Sequence, residues 1–155
     1  MIELLSEIRE RDKSYKLLMV GSGELKTAIE AKISQLNMFE HIQIIERIPN
    51  NEIWELYRFA DAFVNLNQHE IFGMAILEAM YYGCKVVAWE APGPNYVIEN
   101  GKSGWLVKSN EEAVRTIIDL QETQILENAN ARVINHFTWN SSADKIYTIL
   151  GEKNE

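Results

Sequence analysis

The sequence predicts an α/β domain: a mainly parallel sheet flanked by helices. Three observations carry that prediction. Short apolar runs alternate with stretches of helical apolar spacing along 155 residues, which is the pattern of successive βαβ units. Gly, Pro and Asn punctuate the boundaries between them. A hydrophobic content of 46% over this length fits one globular domain with a real core, so residues 1–155 are read as a single unit.

Ile2, Leu4, Leu5 and Ile8 follow helical spacing and end in the charged cluster from Arg9 to Lys13. Tyr15 to Val20 is an apolar run stopped by Gly21-Ser22-Gly23, which predicts a buried strand and a tight turn. Glu24 to Leu36 is helical, with Leu25, Ala28, Ile29, Ile33 and Leu36 as its inner stripe. Ile42 to Ile45 is a second strand. Pro49 to Glu52 opens a helix carrying Ile53, Leu56, Tyr57 and Ala60, capped by Asn50 or Asn51. Ala62 to Leu66 is a third strand and Met74 to Tyr82 the next helix, closed by Gly83 as its C′ residue. Lys85 to Ala88 is a fourth strand. Pro92-Gly93-Pro94 predicts a loop, Tyr96-Val97-Ile98 one helical turn, and Trp105 to Val107 a last short strand. The terminal helices are Glu111 to Leu120, Thr123 to Asn135 and Ser141 to Leu150. No internal repeat, low-complexity segment or linker interrupts the series.

A formal net charge of −8 argues against nucleic acid or an anionic bilayer as the main partner. The single cysteine, Cys84, excludes a disulfide within the chain and reads as a small buried residue in the context Gly83-Cys84-Lys85-Val86-Val87. No run approaches the roughly 20 apolar residues of a membrane span. The start, Met1-Ile2-Glu3-Leu4-Leu5, is short and acidic, unlike a signal peptide, and the chain reads as cytoplasmic.

Glu70 and Glu78 stand eight residues apart across the third strand's end and the following helix. The crevice outside the carboxyl ends of the strands is where open α/β sheets bind ligands. Two acids and a Gly-containing turn at that edge point to a polyhydroxylated, anionic ligand.

The run Glu70-Ile71-Phe72-Gly73 followed by Glu78-Ala79-Met80 resembles the hallmark of the retaining nucleotide-sugar glycosyltransferases called glycosyl transferases group one, or family four. The likeness continues through Gly83 to Ala88 and Ile98 to Val107. It includes Val20 to Glu24 and Leu56 to Val64 upstream, and Phe137-Thr138-Trp139 downstream. Acids eight apart are common; the ordered set is specific and covers nearly the whole chain. The resemblance implies a Rossmann-like C-terminal half of a two-domain GT-B enzyme. Such an enzyme transfers a sugar from a nucleotide-diphosphate sugar in glycan or polysaccharide synthesis, with no metal and no cofactor. The acceptor, a glycan or lipid-linked molecule, would be held by an N-terminal domain, and the full-length enzyme would be cytoplasmic or peripheral at the inner membrane face.

By this resemblance Glu70 is the catalytic carboxylate beside the donor sugar, able to accept from its hydroxyls and to stabilise positive charge at an oxocarbenium-like centre. Glu78 is the ribose ligand, since one carboxylate can accept from two vicinal hydroxyls. Phe72, Gly73 and Met74 present backbone N–H groups to the diphosphate or sugar. Gly21 and Gly23 border the cleft, while Arg47 and Ile48 lie in the region that meets the nucleobase. Without the resemblance each has a plainer reading: a helix N-terminal acid, a solvent-facing acid, turn glycines and a solvated strand-end arginine. The alternative function is a non-catalytic nucleotide-binding or interaction module derived from the same fold.

Two departures stand out. Tyr96 occupies a position where the family often has a glutamate, which removes a carboxylate that would support the neighbouring loop. Met1 also falls inside the family's first helix, so the preceding strand, its arginine and the following lysine have no counterparts in these 155 residues. With strand order 3-2-1-4-5, the absent strand is central. Its two neighbours are then expected to close on each other, to be bridged by another chain, or to leave a marginally stable domain. The chain alone is expected to be inactive and to bind nucleotide-sugar weakly; calorimetry giving a low-micromolar dissociation constant would contradict this.

Overall fold

The computed structural model describes residues 1–120 and 124–151. Eight helices and five strands are found among them, the strands each preceded by a helix and the last three helices consecutive. They run α1 (Ile2–Arg11), β1 (Leu17–Val20), α2 (Lys26–Gln35), β2 (Ile42–Ile45), α3 (Ile53–Phe59), β3 (Ala62–Asn65) and α4 (Met74–Tyr81). β4 (Lys85–Trp89), α5 (Pro92–Val97), β5 (Trp105–Val107), α6 (Asn110–Ile118), α7 (Gln124–His136) and α8 (Trp139–Gly151) follow. Every strand pair is parallel, giving the Rossmann-like α/β architecture anticipated above. Thr123, placed in a helix by its sequence, lies outside the described residues, as do residues 152–155.

The sheet is divided. β1 pairs with β2 in one ladder, with Leu17 opposite Ile42 and Val20 opposite Ile45. β3, β4 and β5 form a second ladder, with Phe63 opposite Val86 and Ala88 opposite Leu106. Among the described residues no ladder joins β1 to β3 and no strand lies between them, so direct closure, the first of the three expected outcomes, does not occur. Helix α1 joins the two half-sheets instead. Leu4 and Ile8 are buried with Val87, Val107 and the α6 residues Ala113, Val114 and Ile117. Ile2 and Leu5, on the adjacent stripe, are buried with Ile33, Met38 and Ile42 beside β1 and β2. Tyr15 touches both clusters and donates its hydroxyl to the Ile117 carbonyl at 3.1 Å. Side-chain packing thus spans a gap that backbone hydrogen bonds leave open.

A third cluster lies on the opposite face of the larger half-sheet. There Ile76, Ala79 and Met80 of α4 pack with Val86, Ala88, Val97 and the α7 residues Ala129 and Val133. Gly83 adopts φ +79° after α4, and the Cys84 N–H reaches back to the Ala79 carbonyl at 2.9 Å, the C-terminal closure predicted for Gly83. Cys84 itself is buried, which pushes its thiol up to about 11.

Three local expectations are corrected. Helix α3 is N-capped by Glu52 with no side-chain cap bond, because Pro49 to Glu52 closes as a turn (Glu52 N–H to Pro49 carbonyl, 2.9 Å) that places Asn50 and Asn51 outside the cap. Pro92-Gly93-Pro94 is not a loop but the first turn of α5. Pro92 sits where its missing N–H and fixed φ suit a helix start, after an extended Ala91. In α2 the stripe is narrower than predicted: Ile33 is buried, but Leu25 is 71% exposed and precedes the helix as its N-cap, and Ala28 is exposed too. Only two strands lie beneath this helix to cover it.

Because α1 serves both half-sheets, Leu4→Ala or Ile8→Ala is expected to destabilise the domain by about 2–5 kcal/mol. Amide exchange should quicken in β1 and β4 together. Loss of protection confined to one half-sheet would show that α1 does not couple them.

Candidate functional site

The carboxyl end of β3 is Asn65, and the chain then turns through a side-chain-templated loop. The Asn65 Oδ1 accepts from the Asn67 N–H at 2.9 Å and the Asn67 Oδ1 from the His69 N–H at 3.0 Å. These two turns carry the backbone to Glu70. Its carboxylate Oε2 accepts from the Asn65 amide nitrogen at 3.3 Å, and the residue is half-buried.

The loop is held from its other side by α5. The Gly93 N–H donates to the Glu70 carbonyl at 2.9 Å. A β-carbon at Gly93 would stand 2.5 Å from the Phe72 nitrogen and 2.6 Å from the Ile71 carbonyl carbon. Main chain therefore lies against main chain, and only glycine permits the approach. This is how the loop is supported in a chain with Tyr96 in place of an acid. Tyr96 instead sets its ring edge-on against Phe137 at 5.6 Å. Arg132 of α7 fixes α5 by donating to the carbonyls of Val97 (2.6 Å) and Tyr96 (3.0 Å) while pairing with Glu99.

Gly73 caps α4 in the left-handed region (φ +91°), a conformation natural to glycine, and no side chain caps the helix. The first N–H groups of α4 are accordingly available to an anion. One turn further, Glu78 is half-buried between Leu77 and Ala79, and its Oε2 accepts from the Tyr57 hydroxyl at 3.1 Å. Burial and then the Glu78 charge push the Tyr57 phenol well above its ordinary range, so it stays a donor.

Gly21, Gly23, Arg47 and Ile48 lie on the other half-sheet. Gly21 and Gly23 are exposed after β1, and the Gly21 N–H donates to the Ile45 carbonyl at 2.9 Å. Lys26, at the head of α2, pairs with Glu46, which ties this loop to the end of β2; Arg47 is exposed just beyond and Ile48 half-buried. The structure thus brings Glu70, Phe72, Gly73 and Met74 into one segment, with Glu78 a turn further along α4. The glycine loop and Arg47 form a separate group across the division of the sheet. Sequence reading missed Asn65, Tyr57 and Gly93. Tyr57 carried a signal: a phenol on a buried helix stripe needs a partner for its hydroxyl. An open groove of about 470 Å³, lined by Arg58, Tyr81, Tyr82 and Asn130, lies at the far end of α4 from Gly73.

The model of the glycosyl transferases group 1 family matches residues 1–139. The chain belongs to that family. It is 25% identical over 164 residues to the D-inositol 3-phosphate glycosyltransferase of Corynebacterium efficiens, covering 98% of this chain and 39% of the relative. A glycosyltransferase structure from Rickettsia africae superposes with a TM-score of 0.80 at 27% identity, over 99% of this chain and 44% of that one. Anabaena HepE, solved in complex with UDP and glucose, has a TM-score of 0.81 at 23% identity, over 96% and 44%. The chain spans about two fifths of the length of the curated relatives it matches.

Gly93→Ala is expected to displace the loop from Ile71 to Phe72, since neither partner in the clash is a flexible side chain. Backbone chemical shifts of Glu70 to Gly73 should move while those of β1 and β2 stay in place. An unperturbed loop would show that the close approach relaxes without consequence.

Proposed function

We propose that this chain is the donor-binding domain of a retaining glycosyltransferase that takes a nucleotide-diphosphate sugar as substrate. The observation that carries the reading is the segment from Glu70 to Glu78: a braced carboxylate, a left-handed glycine cap, an uncapped helix start and a second carboxylate one turn inside. The uncapped N–H groups of α4 meet the diphosphate, whose charge grows as it leaves. Phe72, Gly73 and Met74 approach it through main chain. Glu70, facing the donor sugar, accepts from its hydroxyls and offsets positive charge at the reacting carbon. Glu78 accepts from the ribose diol. Gly21, Gly23, Arg47 and Ile48 border the base and phosphate side of the cleft, where the guanidinium of Arg47 can stack or pair.

By the same family resemblance the route is metal-independent, with the helix N–H donors of α4 opposing the diphosphate. The acceptor, a glycan or a lipid-linked molecule, is assigned to a second domain, so turnover belongs to a two-domain enzyme rather than to this chain alone. Among the described residues no helix is long and apolar enough to cross a membrane. A cytoplasmic enzyme, peripheral at the inner membrane face, is the placement this reading favours.

The test is a donor screen on the two-domain enzyme, with UDP-sugars first because HepE was solved with UDP and glucose. A matching donor should raise Tm, and turnover should persist in EDTA. Glu70→Gln should lower kcat by about 100-fold with little change in KM. Unchanged kcat in that variant would remove Glu70 from the chemistry, and the absence of any donor response would sink the reading as a whole.

A further inference from the structure

We propose that Tyr57 is the positioning residue of Glu78, holding one carboxylate oxygen so that the other is presented to the ribose diol of a nucleoside diphosphate. The proposal rests on the assignment of Glu78 to the ribose made above.

The geometry is asymmetric in a useful way. The Tyr57 hydroxyl, 3.1 Å away, bonds Oε2 alone, and among the described residues Oε1 has no hydrogen-bond partner. The phenol itself has no freedom to wander. Tyr57 is 7% exposed, its ring stacked on Tyr82 at 6.3 Å and 9° and set edge-on to Phe63 at 5.6 Å and 74°. A glutamate on a helix surface ordinarily samples several rotamers, and fixing them on binding costs free energy. A rigid donor from α3 removes that cost before the ligand arrives.

The identity of the donor matters as much as its position. A lysine or arginine at residue 57 would turn Glu78 into an ion pair and compete with sugar hydroxyls for its charge. A phenol orients the carboxylate and leaves that charge in place. The resulting hydrogen bonds from the ribose hydroxyls to an ionised acceptor are of the stronger kind. Asn65 stands in the same relation to Glu70: a neutral donor on Oε2, from the strand end just before it.

The Tyr57→Phe variant keeps the ring and its stacking and deletes only the hydroxyl. The chain and this variant are titrated by NMR with UDP and with 2′,3′-dideoxy-UDP, which lacks the diol. The wild-type chain should prefer UDP, and Tyr57→Phe should lower that preference about five- to tenfold with the dideoxy affinity unchanged. In a Glu78→Ala background, which removes the acceptor, the same substitution should have no further effect, as expected for two groups acting through one bond. An undiminished preference in Tyr57→Phe overturns the positioning role and leaves the Glu78 assignment standing. Equal affinities for the two nucleotides in the wild type overturn the Glu78 assignment and the positioning role with it. An equal loss for both nucleotides in the variant marks general loosening and also overturns the proposal.

Discussion

Everything in this domain depends on the two-sided burial of helix α1. A parallel sheet ordinarily holds itself together through a continuous ladder, and here the ladder is interrupted between β1 and β3. The four apolar side chains at Ile2, Leu4, Leu5 and Ile8 pack against both half-sheets. Each buried aliphatic group of this kind contributes about 1.5–3 kcal/mol, comparable with the net worth of one or two hydrogen bonds. Apolar packing is less directional than a ladder. It fixes the proximity of the half-sheets more firmly than their register, and it makes the relation between the two groups of candidate ligand-binding residues a property of one helix.

Most of the fold was legible because its signals are local. The apolar runs at Leu17, Ile42, Phe63 and Val86 are strands, and the helical spacing of Ile2 to Ile8 and of Ile76 to Met80 correctly gave buried faces. Gly83 could be assigned to a helix end from its place after a periodic stretch. The end of helix α5 was legible at Tyr96 and Val97, but its start was not, because two prolines and a glycine carry a loop signal that a proline at the first helical position reverses. The exposure of Leu25 was hidden for a different reason: a stripe says which face is apolar, not whether the sheet beneath is wide enough to cover it.

The candidate site divides along the same line. Glu70, Gly73 and Glu78 stand out because acids and glycine at a strand–helix junction have chemical meaning in sequence. Their supports do not. Tyr57 precedes Glu78 by 21 residues and looks like core, while Gly93 looks like a turn residue until the Phe72 backbone is found against it. Side chains that hold other side chains are specified by tertiary contact, and periodicity is blind to them.

The brace on the Glu70 loop is made of main chain: the Gly93 amide, the Glu70 carbonyl and the backbone of Ile71 and Phe72, with Arg132 gripping the carbonyls behind them. The side chains of Ile71 and Phe72 take little part and are 84% and 42% exposed. Their identities are therefore decoupled from the placement of the carboxylate. A lineage could rewrite those two positions while the Glu70 carboxylate stays where it is, provided the glycine beneath them is kept.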